Sequence, residues 1–401
     1  MRRLLRYYRQ FEGLSEEEVN ARLRDEAAER REQALARVER LDLSRTTWPE
    51  YPPPAVVNAI TYAARRGLHR YLDPHAAELR SELAHGLGVE VERVVVGGGI
   101  TQLMGAAAQA LLEPDDELVT PWPSYPLYPL VARRSRGRAV PVPGFGPEAV
   151  LRAVNDRTRL VALCNPNDPT GALVGADDLA ALLAALPERV VVLLDEALRD
   201  FVAAEPRDAA LDLLADHPRL LVFRTFSKAW GLAGLRCGYA VGGPGAEPLL
   251  AQLEPELGLD ELAQAGALEA LRTASRVVAG RAAAVAGERA RLASALGDLG
   301  YDVAASQANV LWVAAPRLDG AELARRVERT GLIVAPGGAL GDAARIRVTV
   351  PPGRDDADRA LRALEGAIDA RRDEGGGWRG TVTGTPPPRS SAQSSSSASS
   401  C

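Results

Sequence analysis

Lysine is all but missing from this chain. Of its 48 lysine and arginine residues, every one except Lys228 is an arginine. Arginine serves in solvation, ion pairing and anion contact. Its guanidinium stays protonated, however, whereas a lysine can lose its proton when its surroundings lower the pKa. A lone lysine is therefore either a remnant of a bias toward arginine or an amine that arginine cannot replace, such as one that bonds a carbonyl. Composition does not separate the two, and the neighbours of Lys228 must decide. Histidine is scarce too. His69, His75, His85 and His217 form no HExxH pattern, and Cys164, Cys237 and Cys401 have no metal-ligand spacing, so no metal site is expected. An odd, sparse set of cysteines suits a reducing cytoplasm. No apolar run is long enough to span a membrane. The basic start MRRLLRYYRQ has no apolar stretch after it, so no secretory signal is expected. The formal net charge of -5, with acids and bases intermixed, lacks the clustered basic excess of a nucleic-acid binder.

What is present is enough apolar residue, 46% of 401, for a large core and two domains. Residues 14–40 are highly charged, and Ser15 followed by Glu18 has the form of a capping box. This predicts an exposed or partner-covering helical arm over residues 1–45. A proline-rich connector, TTWPEYPPP, follows. From there to about residue 250, short β-branched runs alternate with alanine- and leucine-rich helical patterns. The predicted strands begin at Arg93, Glu117, Arg138, Arg159, Arg189, Arg219 and Arg236. Several are apolar on both faces, as buried parallel strands are. The alternation predicts an α/β fold, with a mostly parallel sheet flanked by helices in a large domain over 46–250. A long helical run over 261–298, the strand ANVLWVAA, the helix GAELARRVERT and the strand ARIRVTV predict a smaller C-terminal α+β domain over 251–370. The serine-rich tail, 371–401, has little to bury and is expected to be disordered.

Five features fall on loops after predicted strands, where ligands of such sheets sit. VVVGGGITQL runs a strand through glycines into a helix, whose first N–H groups suit a phosphate; a plain strand–helix linker has the same form. NPNDPTG is a polar, proline-punctuated turn, either ordinary or shaping a site. Asp195 closes a very apolar strand, either as a helix N-cap or as a carboxylate that needs a cation. Thr225 and Ser227 set hydroxyls before Lys228, and Arg236 follows eight positions later. Arg347, in RIRVTV, taken alone reads as a strand-edge surface charge. Together they supply an anion cradle, a carboxylate, an amine nucleophile and a second arginine. Pyridoxal phosphate needs these: an amine for its aldehyde, a carboxylate for its pyridine nitrogen and a cradle for its phosphate.

The order of GGGIT, WPSYPLY, NPNDPTG, DEA, SKAWGLAGLRCG and RIRVTV resembles the pyridoxal-phosphate aminotransferases of fold type I, most closely the histidinol-phosphate aminotransferases. The resemblance covers residues 44 to 365. It implies that Lys228 holds the cofactor aldehyde as a Schiff base and then moves a proton. It implies that Asp195 pairs with the pyridine nitrogen and that Tyr125 stacks on the ring. Gly99, Ile100 and Thr101 would hold the phosphate with Thr225, Ser227 and Arg236. Tyr71 would reach the phosphate of a neighbouring subunit, which implies a homodimer. Arg347 would bind the substrate's anionic group, with Asn309 ordering that side of the pocket. The partners implied are a small amino donor and a 2-oxo acid. Two positions depart from the family pattern. Asp168 stands where asparagine is usual, and Leu198 where tyrosine is usual. Both usual residues donate to the cofactor's ring hydroxyl. Decarboxylation, cyclisation or elimination on the same scaffold, or a regulatory protein retaining it without turnover, stay open as alternatives.

Overall fold

In the computed structural model, residues 13–35 and 39–369 are described; the start of the arm and the serine-rich tail lie outside them. Leu41–Asp42 forms a short strand, β1. The seven expected strands follow as β2 (Val94–Gly97), β3 (Glu117–Trp122), β4 (Arg138–Pro143), β5 (Thr158–Cys164), β6 (Val191–Asp195), β7 (Leu220–Thr225) and β8 (Gly238–Gly242). Successive strand side chains point to opposite faces, and here both faces are dry. Val94, Val96, Val192, Leu194 and Val222 enter one core, with Leu79 and Leu179 from helices 77–87 and 176–185. Val95, Val191, Leu193, Leu221 and Phe223 enter a second, with Met104 and Tyr128 from helices 100–111 and 127–134. This is why the strands carry no polar alternation, and it confirms the α/β class.

The strands lie in the order β2-β8-β7-β6-β5-β3-β4. Pairings among β3 to β7 are parallel, and β8 runs antiparallel to both β2 and β7. The reversal has a local consequence. The residues just before β8 arrive at the same sheet edge where the other strands end.

The C-terminal part adds β9 (Asp302–Val303), β10 (Val310–Ala314), β11 (Leu332–Ile333), β12 (Ala335–Pro336) and β13 (Arg345–Thr349). Four of these form an antiparallel sheet, β12-β13-β10-β9, while β1 pairs with β11 in parallel. Within the stretch expected as an arm, only part is an arm. The helix Glu16–Leu35 is closed by the expected capping box: Ser15 N donates to Glu18 Oε2 at 2.7 Å and Glu18 N to Ser15 Oγ at 3.3 Å. Residues 41–45 instead knit into the C-terminal strands. Thr349 N donates to Leu43 O at 2.9 Å and Thr349 Oγ1 to Arg45 O at 3.0 Å. The helical run expected over 261–298 is two helices, Glu261–Thr273 and Ser275–Asp298. The break is at buried Ala274, whose φ of -105° and ψ of 1° are non-helical, and no glycine or proline marks it in the sequence.

Candidate active site

The carboxyl ends of β2, β5, β6 and β7 and the approach to β8 converge on one cavity of about 130 Å³. Its walls include Thr101, Tyr125, Asp168, Asp195, Lys228 and Arg236. Ile100, Leu198, Thr225 and Ser227 line it as well, beside Cys164 and Ala197, so ten of the expected positions meet in one place although they span more than a hundred residues of chain.

The glycine turn after β2 is built for close approach. Gly99 has a φ of +83°, which favours glycine, and a Cβ there would lie 3.0 Å from Arg236 Nη2. The helix Ile100–Leu111 starts at this turn, so its free N–H groups and the Arg236 guanidinium share one corner. A Cβ at Gly238 would lie 2.9 Å from Ile100 N, so the start of β8 can pass only as glycine. Arg236 stands just before β8, not on it, and donates to Ala233 O at 3.0 Å. Thr225 Oγ1 lies 3.0 Å from Ser227 Oγ, which sets both hydroxyls at the same end.

Asp195 is buried at the end of β6, 2% exposed, with no ion pair among the described residues. It accepts from Tyr128 Oη at 2.8 Å and Ala197 N at 2.9 Å. Burial pushes its carboxyl up to about 6, against those two hydrogen bonds. The N-cap alternative fails: no α-helix begins there. Next to it, Glu196 is held by Arg224 at 2.8 Å and Arg199 at 3.7 Å, and Arg224 reaches Asp208 at 2.6 Å. This buried ionic cluster anchors the end of β6 against β7.

Burial lowers the pKa of the Lys228 amine, which favours its neutral, nucleophilic form; Asp168 pulls the other way and Arg347 adds to the lowering. The Nζ donates to Thr46 Oγ1. Thr46 and Ser44, whose carbonyl accepts from Arg347 at 2.6 Å, come from the N-terminal segment that sequence reasoning left outside the site. Tyr128 was also missed: it lies within WPSYPLY, and only its packing against β6 separates it from Tyr125. Tyr125 is 39% exposed on the cavity wall, its hydroxyl pKa raised by the burial of the rest of the side chain and then by Asp168.

Arg347 is not the edge charge that its isolated context suggested. It is 8% exposed, and one Nη donates to Asp168 Oδ1 at 2.7 Å and Oδ2 at 2.8 Å. Asn309 is buried, with its Oδ1 unpartnered, and it reaches this side through its carbonyl, which accepts from Val350 N at 2.8 Å. Neither Arg347 nor Asn309 lines the cavity directly. Tyr71 stands fully exposed on the surface of the single chain and contributes nothing to the cavity. Among the described residues no group of histidine, cysteine, aspartate or glutamate has a metal-binding arrangement, and no helix is long and apolar enough to cross a membrane.

Residues 40–364 match the family model for aminotransferase class I and II. An aromatic amino acid aminotransferase of Corynebacterium efficiens is 38% identical over 322 residues, 79% of this chain and 90% of the relative. Histidinol-phosphate aminotransferase 1 of Nitrosococcus oceani is 36% identical over 329 residues, 81% of this chain and 88% of the relative. Among solved structures, histidinol-phosphate aminotransferase from Sinorhizobium meliloti in complex with pyridoxal-5'-phosphate superposes with a TM-score of 0.75 at 29% identity, over 85% of this chain and 94% of that one.

Proposed function

The chain belongs to the class I and II aminotransferase family, and on that premise we propose that it is a pyridoxal-phosphate-dependent aminotransferase moving an amino group between an amino compound and a 2-oxo acid. The amino compound is histidinol phosphate or a related amino acid. The observation that carries the reading is the lone lysine amine in one cavity with a buried carboxylate that makes no ion pair among the described residues. That carboxylate is what a protonated pyridine nitrogen requires. A glycine cradle beside an arginine and a helix start is what a phosphate requires. The residues present therefore fit pyridoxal phosphate.

Bound there, the cofactor supplies an aldehyde for the substrate amine and a ring that accepts electrons from the amine-bearing carbon. The chain's own groups do the rest. Asp195 would keep the ring nitrogen protonated, its oxygens oriented by Tyr128 and the Ala197 N–H. Tyr125 would cover the ring. The N–H groups of Ile100 and Thr101, the hydroxyls of Thr225 and Ser227, and Arg236 would hold the phosphate. Lys228, held toward its neutral form by burial, would move the proton of the amine-bearing carbon through Nζ. Residues 46–250 form the cofactor-holding part and residues 251 to 368 the part that supplies Arg347 and Asn309, with residues 41–45 paired to the strands of the latter. The protein acts in the cytoplasm as a homodimer, with Tyr71 reaching the partner's site. The exposed side chains of Tyr62 and Tyr71, which line one groove, support that surface as an interface.

Borohydride reduction of the purified protein, followed by peptide mapping, should place pyridoxal phosphate on Lys228 alone, and amine donors should transfer nitrogen to a 2-oxo acid. Label absent from Lys228 would overturn the reading. Carbon dioxide release without amine transfer would move it to a decarboxylase on the same scaffold.

A further inference from the structure

The guanidinium expected to receive the substrate's anionic group is already engaged. One Arg347 Nη donates to both oxygens of the Asp168 carboxylate, at 2.7 and 2.8 Å, and the other Nη donates to Ser44 O at 2.6 Å. Its Nε is buried without a partner among the described residues. Asp168 is 6% exposed, so the pair is shielded from water and its attraction is little screened. Asp168 also lines the cavity together with Lys228 and Tyr125. A carboxylate brought to Arg347 from a substrate reacting at Lys228 therefore meets a buried like charge. Asparagine, the usual residue at this position, keeps the hydrogen bond but leaves Arg347 its net positive charge.

We infer that Asp168 is a specificity-determining residue: by neutralising Arg347 it turns the site away from substrates with a carboxylate on the amine-bearing carbon and, among the proposed amino compounds, toward those whose amine-bearing carbon has no carboxylate. The inference rests on the aminotransferase reading of the same cavity. An aromatic amino acid, the substrate class in several relatives' names, carries such a carboxylate and is disfavoured here. A 2-oxo acid acceptor meets the same charge, so its KM is high.

The test uses the cofactor-loaded protein and two dead-end ligands of matched size, phenylpropionate and phenylpropanol, titrated by calorimetry. In the wild type the carboxylate binds no tighter than the alcohol. In Asp168→Asn the carboxylate binds tighter by on the order of tenfold or more, the lower range for a close buried charge pair, while the alcohol is unchanged. The KM values of amino acid donors and 2-oxo acids fall with it. Wild-type protein that already prefers the carboxylate by about tenfold overturns the inference, whether or not the variant folds. So does an Asp168→Asn protein with unchanged carboxylate affinity. Borohydride fixation at Lys228 is checked first. Its absence overturns the aminotransferase reading itself, whereas fixation with unaltered ligand preference overturns only the role of Asp168.

Discussion

Asp195 and Lys228 face the same cost, a charge taken out of water, and burial pushes each toward its neutral form. For Lys228 that is the form a nucleophile needs. For Asp195 it is the wrong form for pairing with a pyridinium, and Tyr128 and the Ala197 N–H act against it. The folded carboxyl titrates at about 6 against an ordinary 3.8, so between these values the folded state holds a proton that the unfolded state has lost. Stability of the cofactor-free protein therefore falls as pH rises through that window, by about 3 kcal/mol from this group, and the loss is complete above it. Unfolding of wild type and Asp195→Asn without cofactor, compared at about pH 4 and about pH 7, should show the wild type losing ground to the variant at the higher pH. A difference independent of pH would mean that Asp195 titrates at its ordinary value.

At the scale of elements, the reversed strand β8 explains the cradle. Because it runs antiparallel between β2 and β7, its entrance brings Arg236 to the glycine turn, and Gly238 passes within contact of the Ile100 N–H. Gly99→Ala is therefore a test of the turn alone. The added methyl meets a φ of +83° and the Arg236 guanidinium at 3.0 Å. Strain of about 1–2 kcal/mol should appear as pyridoxal phosphate affinity weakened by about tenfold, read by equilibrium dialysis, with the sheet intact by circular dichroism. An unchanged affinity would show that the phosphate sits elsewhere. The NPNDPTG turn works in the same way. Gly171 has a φ of +74° and a Cβ there would collide with Ser306, so the turn closes against the segment leading to β10 and presents Asp168 inward.

At the scale of the molecule, the site is assembled from both ends of the chain. Residues 41–46 return from the arm, pair with β11 and β13, and supply Ser44 to Arg347 and Thr46 to Lys228. An arginine from β13 meets an aspartate from the turn after β5. The proposed homodimer extends this sharing to a second chain. Mixing Tyr71→Phe chains with Lys228→Ala chains should restore activity above that of either alone, because one site in each mixed dimer then carries both wild-type residues. No restoration, together with a monomeric mass by light scattering, would remove Tyr71 from the site.

Much of this was legible in the sequence, and for local reasons. Both-face burial leaves a continuous β-branched run, so all seven strands of the large sheet could be located. A scarce residue draws attention to itself, as Lys228 does, and the structure sets it in the cavity. Loops that follow strand ends are short, so Asp195 and Thr225 could be placed at that cavity, and Gly99 at the turn beside it, from the sequence. The helix break at Ala274 was not, because no local residue enforces it. What only the tertiary structure decided are the pairings between distant segments. Arg347 looks like an edge charge until β13 is laid beside the turn carrying Asp168, and Tyr128 looks like core until its hydroxyl is set 2.8 Å from Asp195. Hydrogen bonds and ion pairs act over a few ångströms, whereas these partners lie tens to hundreds of residues apart in the chain. Their meeting is fixed by sheet order and by the path of the N-terminal segment, which no local pattern encodes.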